Sequence, residues 1–368
     1  MKKRTLMKKI CVFAMLCVLT MTMFLEPSFA GTYKVNDGGI ETVASIPRSD
    51  ACDKMTIMSQ MTWTLPETLY YCTLQSGGAL TKASEVKLYK YKDGKSANGV
   101  ITRKGIPYSQ VDREYSFPSG TFTLNFGNKT LIDDGITYRS VHGTDCASSV
   151  AFAWRKGTGN NSASSNFLKR TNTNHAIYTT ENMFNDAVRE STDTYTGDFL
   201  KVVGDYGKYN KKTAANTRNV VDALSAAGNY GAGKDIYSEV YAKIKPGDAL
   251  LFRGSSGHVR LVTGVHIVYT DTAKTQVDPE ASYVNCIEQT GFRKYKKDAD
   301  ATEKKIASNW STSWIPNEET VQEGTYAGQK KFTGMYTFNQ LTGKTPSPTV
   351  NGGDSYNRYI PIRLNVWS

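Results

Sequence analysis

The stretch GTDCASSVAFAW, residues 143–154, decides how the chain is read. Ala147, Val150, Ala151 and Trp154 fall at i, i+3, i+4 and i+7, which gives one apolar face at helical spacing. Thr144 or Asp145 can serve as its N-cap. Cys146 then occupies the first turn, where unpaired backbone N–H groups and the positive end of the helix dipole favour a thiolate over a thiol. A cysteine so placed reads either as a nucleophile or as a small buried residue, since free cysteine is often core material.

A nucleophile needs a group to take its proton. His142 and His175 sit in polar, loop-like contexts and read as surface residues. His258 follows Gly257 at the start of a predicted strand in which Val259, Leu261, Val265 and Ile267 alternate onto one face, with His258 and Val262 on the other. It reads as a structural histidine or as a base. An imidazole base needs its second nitrogen held by an acceptor. A further predicted strand, residues 282–290, places Val284, Cys286 and Glu288 on one face and Asn285 and Gln289 on the other. An unpaired carboxylate in so apolar a strand is costly, so Glu288 either orients His258 or forms a salt bridge, for instance to Arg260. His266, eight residues beyond His258 and predicted on the same face, competes for the orienting role.

Around this centre the organisation is helices first and strands afterwards. Residues 1–30 carry Lys2, Lys3, Arg4, Lys8 and Lys9 before an apolar run and end in Ser28-Phe29-Ala30, the pattern of a cleaved secretory signal. Residues 31–50 are polar and turn-rich and read as a tether, and residues 51–368 as one catalytic domain with a core at about 105–290 and a C-terminal extension at 291–368. An early helix is expected from Ala51 towards Tyr71, and helix-rich stretches at 183–200 and 214–243. Lys245-Pro-Gly-Asp248 makes a turn before strands at 249–252, 258–269 and 282–289, and a terminal strand is expected at 359–367. This order predicts an α+β domain.

Composition narrows the function. No later segment approaches the roughly 20 apolar residues of a membrane span, so the mature chain is expected outside the cytoplasm without stable membrane insertion. The whole chain carries +11; without the signal, 40 basic residues stand against 33 acidic ones, a net +7. That charge suits an anionic wall polymer, while the scattered Lys and Arg residues and the lack of a recognised motif argue against nucleic acid. The run Arg293-Lys-Tyr-Lys-Lys297 reads as a solvated loop. Of the four cysteines after the signal, Cys52 and Cys72 are the pair that could bridge. No His-Glu-x-x-His, no Cys-x-x-Cys and few histidines are present, so neither a metal nor any other cofactor is expected.

Asp-Cys-Ala-Ser-Ser-Val at 145–150, Pro-Gly-Asp-Ala-Leu-Leu-Phe at 246–252, Gly-His-Val at 257–259 and Ile-Glu-Gln at 287–289 together resemble the NlpC/P60 and CHAP groups of papain-like cysteine peptidases and amidases. Gly105-Ile-Pro-Tyr108 resembles the Gly-x-Pro-Tyr that precedes the nucleophile in NlpC/P60 enzymes, although Tyr108 lies 38 residues before Cys146, so an insertion must loop out. The resemblance implies a papain-like fold, N-terminal helices on an antiparallel sheet, and a secreted or wall-associated peptidoglycan hydrolase of a Gram-positive bacterium, an endopeptidase or an amidase. It implies Cys146 as nucleophile, His258 as base and Glu288 as orienting residue, with the Cys146 N–H and Tyr108 at the oxyanion and Asp145 towards substrate. A thioester-forming acyl or peptidyl transferase uses the same residues, and a wall-binding protein with a vestigial site is the reading from another class.

Overall fold

The computed structural model describes residues 31–34, 40–43, 47–66, 72–74, 80–82, 100–106, 108–113, 121–123, 126–155, 167–168, 177–189, 199–204, 213–226, 228–289, 314–315, 334–348 and 354–367. The expected signal at 1–30 and the basic run at 293–297 lie outside the described residues.

Gly31–Lys34 (β1) and Ile40–Val43 (β2) form an antiparallel pair within the stretch read as a tether. The first helix, Arg48–Gln60 (α1), starts three residues before Ala51 and is shorter than the stretch to Tyr71. It gives way to Thr62–Pro66 (β3), where alternating β-branched and aromatic residues favour strand. Cys72–Leu74 (β4) pairs with Leu80–Lys82 (β5), and β3 pairs with Val100–Lys104 (β6). Asp112–Arg113 (β7) follows, and Thr121–Thr123 (β8) runs parallel to β3. Phe126–Asp133 (β9) and Ile136–Gly143 (β10) form a hairpin closed by Asp134 and Gly135, both at positive φ, the backbone that a two-residue Asp-Gly turn supplies. Its second strand leads directly into the cysteine helix, Cys146–Arg155 (α2).

The helix-rich stretches resolve into shorter pieces: Thr180–Arg189 (α3), a strand Leu200–Val202 (β11), Thr217–Leu224 (α4) and Ile236–Glu239 (α5). Gly228 and Gly233, both at positive φ, separate α4 from α5. Then come Ala249–Arg253 (β12), Gly257–His266 (β13), Tyr283–Gln289 (β14), Trp314–Ile315 (β15), Met335–Thr337 (β16), Phe338–Thr342 (α6), the pair Ser347–Pro348 (β17) and Asp354–Ser355 (β18), and Ile360–Leu364 (β19). The main sheet runs β11-β19-β12-β13-β14-β15, with β16 also on β14, and every pairing in it is antiparallel. The architecture is therefore α+β around an antiparallel sheet. Residues 335–337 and 360–364 belong to that sheet, β19 lying between β11 and β12.

Helix α2 is buried on all sides, with Val150, Ala151 and Trp154 fully covered. It packs between α1, through Ala51, Met55 and Met58, and strands β13 and β14. The indole N–H of Trp154 donates to the Gly247 carbonyl at 2.8 Å, which ties the helix to the Pro-Gly-Asp turn. Beside that turn, Asp248 is fully buried and receives Arg48 at 2.8 Å, the Nε and Nη2 of Arg363 at 2.9 and 2.8 Å, and the Lys245 backbone N–H at 2.8 Å. One carboxylate thus fastens α1, β12 and β19 together.

Strand β13 departs from simple alternation. Val262 pairs with Cys286 and Gly264 with Asn285, so Thr263 is an extra residue in a β-bulge. Beyond the bulge the faces exchange: Val265 pairs with Val284 and His266 with Tyr283. The expectation that His266 shares a face with His258, and that Val265 and Ile267 continue the face of Val259 and Leu261, is corrected by this inserted residue.

Candidate active site

Cys146 is the first residue of α2, and Asp145 caps the helix. Asp145 Oδ1 accepts the Ser148 N–H at 2.8 Å while Ser148 Oγ accepts the Asp145 N–H at 2.8 Å, a reciprocal capping box with serine at the third helical position. Asp145 Oδ2 accepts from Arg113 Nη2 at 2.6 Å. Both oxygens that the sequence assigned towards substrate are engaged within the protein.

The long insertion before the cysteine closes on itself. Tyr108 bridges in parallel to Thr144, and the Ser109 N–H donates to the Thr144 carbonyl at 2.8 Å. Fully buried Gln289, on β14, ties the two ends: its amide donates to the Ile106 carbonyl at 2.9 Å and its oxygen accepts the Thr144 hydroxyl at 2.6 Å. Tyr108 therefore stands beside the nucleophile segment despite the 38 intervening positions. Burial, with the Cys146 and Asp145 charges nearby, pushes its phenol well above the ordinary range.

His258 enters from β13. The backbone N–H of Val259, the next residue along, lies close enough to the Cys146 sulfur to favour its charged form, so strand β13 passes beside the sulfur. Gly257 permits the close approach of α3: a Cβ there would lie 1.9 Å from Thr180 Oγ1. On the far side, His258 Nε2 hydrogen-bonds Glu288 Oε2. That leaves Nδ1 as the ring nitrogen not engaged by Glu288. The arrangement follows from register: Leu261 faces Ile287, so Arg260 stands across from Glu288 and His258 lies on the diagonal of the same face.

Glu288 has both partners that the sequence offered as alternatives. Its Oε2 lies 3.3 Å from Arg260 Nε as well as on the His258 ring, and its Oε1 accepts the Tyr336 hydroxyl at 2.6 Å. Arg260 is itself held between Tyr336 and Tyr359, its guanidinium carbon 3.8 and 4.2 Å from their ring centres, and its Nη2 donates to Tyr359 Oη at 3.0 Å. Nothing in the sequence links Tyr336 or Tyr359 to this cluster. Tyr336 arrives because β16 pairs with β14, Val284 facing Tyr336, and Tyr359 because it leads into β19.

Burial pushes the Cys146 thiol up to about 12, Asp145 adds to this, and the Val259 N–H, Arg113 and the Ala147 N–H oppose it without prevailing. The sequence expectation of a thiolate favoured by the helix start is thus reversed in the resting site, because desolvation exceeds what a helix N-terminus supplies. Burial pushes the Glu288 carboxyl up as well, but Arg260, His258 and Tyr336 outweigh it and hold the group far below the carboxylate range. Its folded value lies under its ordinary value of 4.5, so its contribution to stability is complete above about that pH and is lost as pH falls through and below it. Urea unfolding from pH 6 downwards is expected to lose on the order of 2 kcal/mol from this group. Glu288→Gln, less stable throughout because Arg260 loses its counter-charge, is expected to show a flatter pH slope; an unchanged slope would exclude the assignment.

His266 does not compete for the orienting role. It is exposed at the other end of β13, roughly 26 Å along the strand at about 3.3 Å per residue, with its ring stacked on Tyr283 at 4.9 Å. The site is not sealed, since Cys146 keeps 8 % of its surface exposed and the His258 side chain 19 %. Cys52 is a free thiol donating to the Val262 carbonyl at 3.6 Å, so it is not bridged to Cys72. Among the described residues, no group of three or more His, Cys, Asp or Glu side chains is placed to hold a metal ion, and no helix is long and apolar enough to cross a membrane. No family model, curated protein or solved structure matches the chain.

Proposed function

We propose that this chain is an exported cysteine hydrolase of papain-like architecture that cleaves an amide bond of peptidoglycan. The observation that carries the reading is the junction at β13: the strand passes the helix-start sulfur at Val259, whose N–H favours the charged sulfur, while the adjacent His258 is held by Glu288. Sulfur, imidazole and carboxylate in that order are the parts of a nucleophile, a base and its orienting group. The wall as substrate comes from the motif resemblance, and the basic charge of the mature chain supports it.

In the reaction, His258 Nδ1 takes the Cys146 proton as the sulfur bonds to the amide carbon. The oxygen, now negative, is met by the Cys146 N–H at the start of α2, with the Tyr108 hydroxyl as a second donor. The tetrahedral species expels the amine, which leaves with the proton from His258, and a thioester remains on the sulfur. Water, deprotonated by His258, attacks that carbonyl; the carboxylic acid departs and the thiol is restored. Glu288 stabilises the imidazolium at each stage and fixes which nitrogen faces the sulfur.

The experiment is incubation of the purified mature protein with purified cell wall, followed by mass spectrometry of the soluble fragments. New amine and carboxyl ends are expected in equal number, and prior alkylation by iodoacetamide, mapped to Cys146, is expected to abolish them. Fragments joined to an added amine would indicate transfer instead. No release, or release unaffected by a blocked Cys146, would overturn the reading.

A further inference from the structure

Arg260 does more at this site than neutralise a buried acid. A salt bridge confined to packing needs one carboxylate and one cation, whereas here a single oxygen, Glu288 Oε2, serves two: the His258 ring and Arg260 Nε at 3.3 Å. The guanidinium cannot move off it. Tyr336 and Tyr359 enclose it at 3.8 and 4.2 Å, Tyr359 takes its Nη2, and its Nε and Nη1 are buried without a hydrogen-bond partner, Nε facing Glu288 as an ion pair. Leaving a buried donor unmet is costly, and the site retains it. The charge is permanent, since Glu288 and the facing tyrosines raise the guanidinium further above its already high value although burial opposes this.

We infer that Arg260 is a positioning residue of the proposed catalytic site: by sharing Glu288 Oε2 it keeps the carboxylate ionised and divides its charge, so that Cys146 rests as a thiol. This inference rests on the proposed roles of Cys146 and His258. Among the described residues, the titratable and charged groups on the elements around the imidazole and the sulfur are these. Strand β14 supplies Glu288 and β13 supplies Arg260. Tyr336 comes from β16, Tyr359 from the approach to β19, and Arg253 with its partner Glu181 from β12 and α3. Asp145, Arg113 and Tyr108 surround the sulfur from the cysteine side. Of the cations, Arg260 is the one on the carboxylate oxygen that holds the ring. A cation there takes up part of the carboxylate's charge, which leaves less of it to draw the proton off the Cys146 sulfur. The raised thiol agrees with that resting state.

The test follows the rate of iodoacetamide labelling at Cys146 against pH, read by peptide mass spectrometry so that Cys52 and Cys286 are scored separately. In the parent, labelling is expected to climb continuously from about pH 5 to pH 10, as a neutral thiol requires; a plateau through the acid and neutral range would show a resting ion pair and overturn the inference. Arg260→Met keeps an apolar stem between the two rings and removes the charge. It is expected to label at least about tenfold faster than the parent near pH 6, one pH unit of displacement being tenfold. Arg260→Gln serves the same purpose should the methionine variant fail to fold, and Arg260→Lys, which keeps the charge, is expected to follow the parent. A charge-free variant with the parental profile would refute the role of Arg260. If instead Cys146 reacts no faster than a free thiol in every variant and His258→Ala changes nothing, the proposed hydrolase itself fails.

Discussion

Cys146→Ala is expected to lower the rate of wall hydrolysis by a factor of about 10⁴ or more, the loss typical when the nucleophile of a unit that acts together is removed. The measurement is release of soluble fragments from purified wall by equal amounts of folded protein. The loss should come without a collapse of the fold, because deleting one sulfur from a helix start costs about 1 kcal/mol or a little more, and the Asp145–Ser148 box that holds the helix is untouched. Cys146→Ser should be nearly as inactive. The site is arranged to deprotonate a thiol already raised to about 12 by burial, and a hydroxyl in the same surroundings is a far weaker acid. Residual activity above a few per cent in the alanine variant would place the nucleophile elsewhere.

Asp248→Ala is expected to cost about 3–5 kcal/mol of folding stability, the usual consequence of removing one member of a buried ionic cluster. The carboxylate is the common anchor of Arg48 and Arg363, whose side chains are only 10 % and 9 % exposed, and it also takes the Lys245 N–H. Without it two guanidinium groups stay buried against one another. The positive charge gathered there already depresses Lys201, through burial first and then Arg363 and Arg48. Equilibrium urea unfolding measures the loss, and Asp248→Asn, which keeps an acceptor but not the charge, should fall between parent and alanine. A loss under 1 kcal/mol for the alanine variant would show that the cluster is ornamental to folding.

Short-range patterns carried much of this arrangement. The apolar spacing of Ala147, Val150, Ala151 and Trp154 located α2, the Pro-Gly-Asp turn located β12, and alternation located β13 and β14 with His258 and Glu288 diagonally placed on one face. What the residues did not declare depends on partners distant in the chain or on local irregularity. A Thr-Gly pair in a strand does not announce that Thr263 is unpaired, so His266 was assigned the wrong face. Periodicity gives a helix start but not its depth, and depth decides that the Cys146 thiol is raised. Arg260 is read from the sequence as a rival for Glu288, whereas the same oxygen hydrogen-bonds His258 and forms an ion pair with Arg260. Tyr336 and Tyr359 lie far from the acid in the chain, and only the pairing of β16 with β14 and the placement of β19 bring them to the cluster.

The position of β19 sets the timetable on which the protein becomes competent. A strand wedged between β11 and β12 is a late arrival in synthesis, so a nascent chain that has already made its cysteine, histidine and glutamate still has a gap in the sheet that must hold them in place. Until residues 360–364 slide in, Tyr359 cannot brace Arg260 and Arg363 cannot reach Asp248. Completion of the sheet is thereby postponed until after Cys146, His258 and Glu288 have been made, and a product truncated before Tyr359 would lack the brace on Arg260 and be loosely folded.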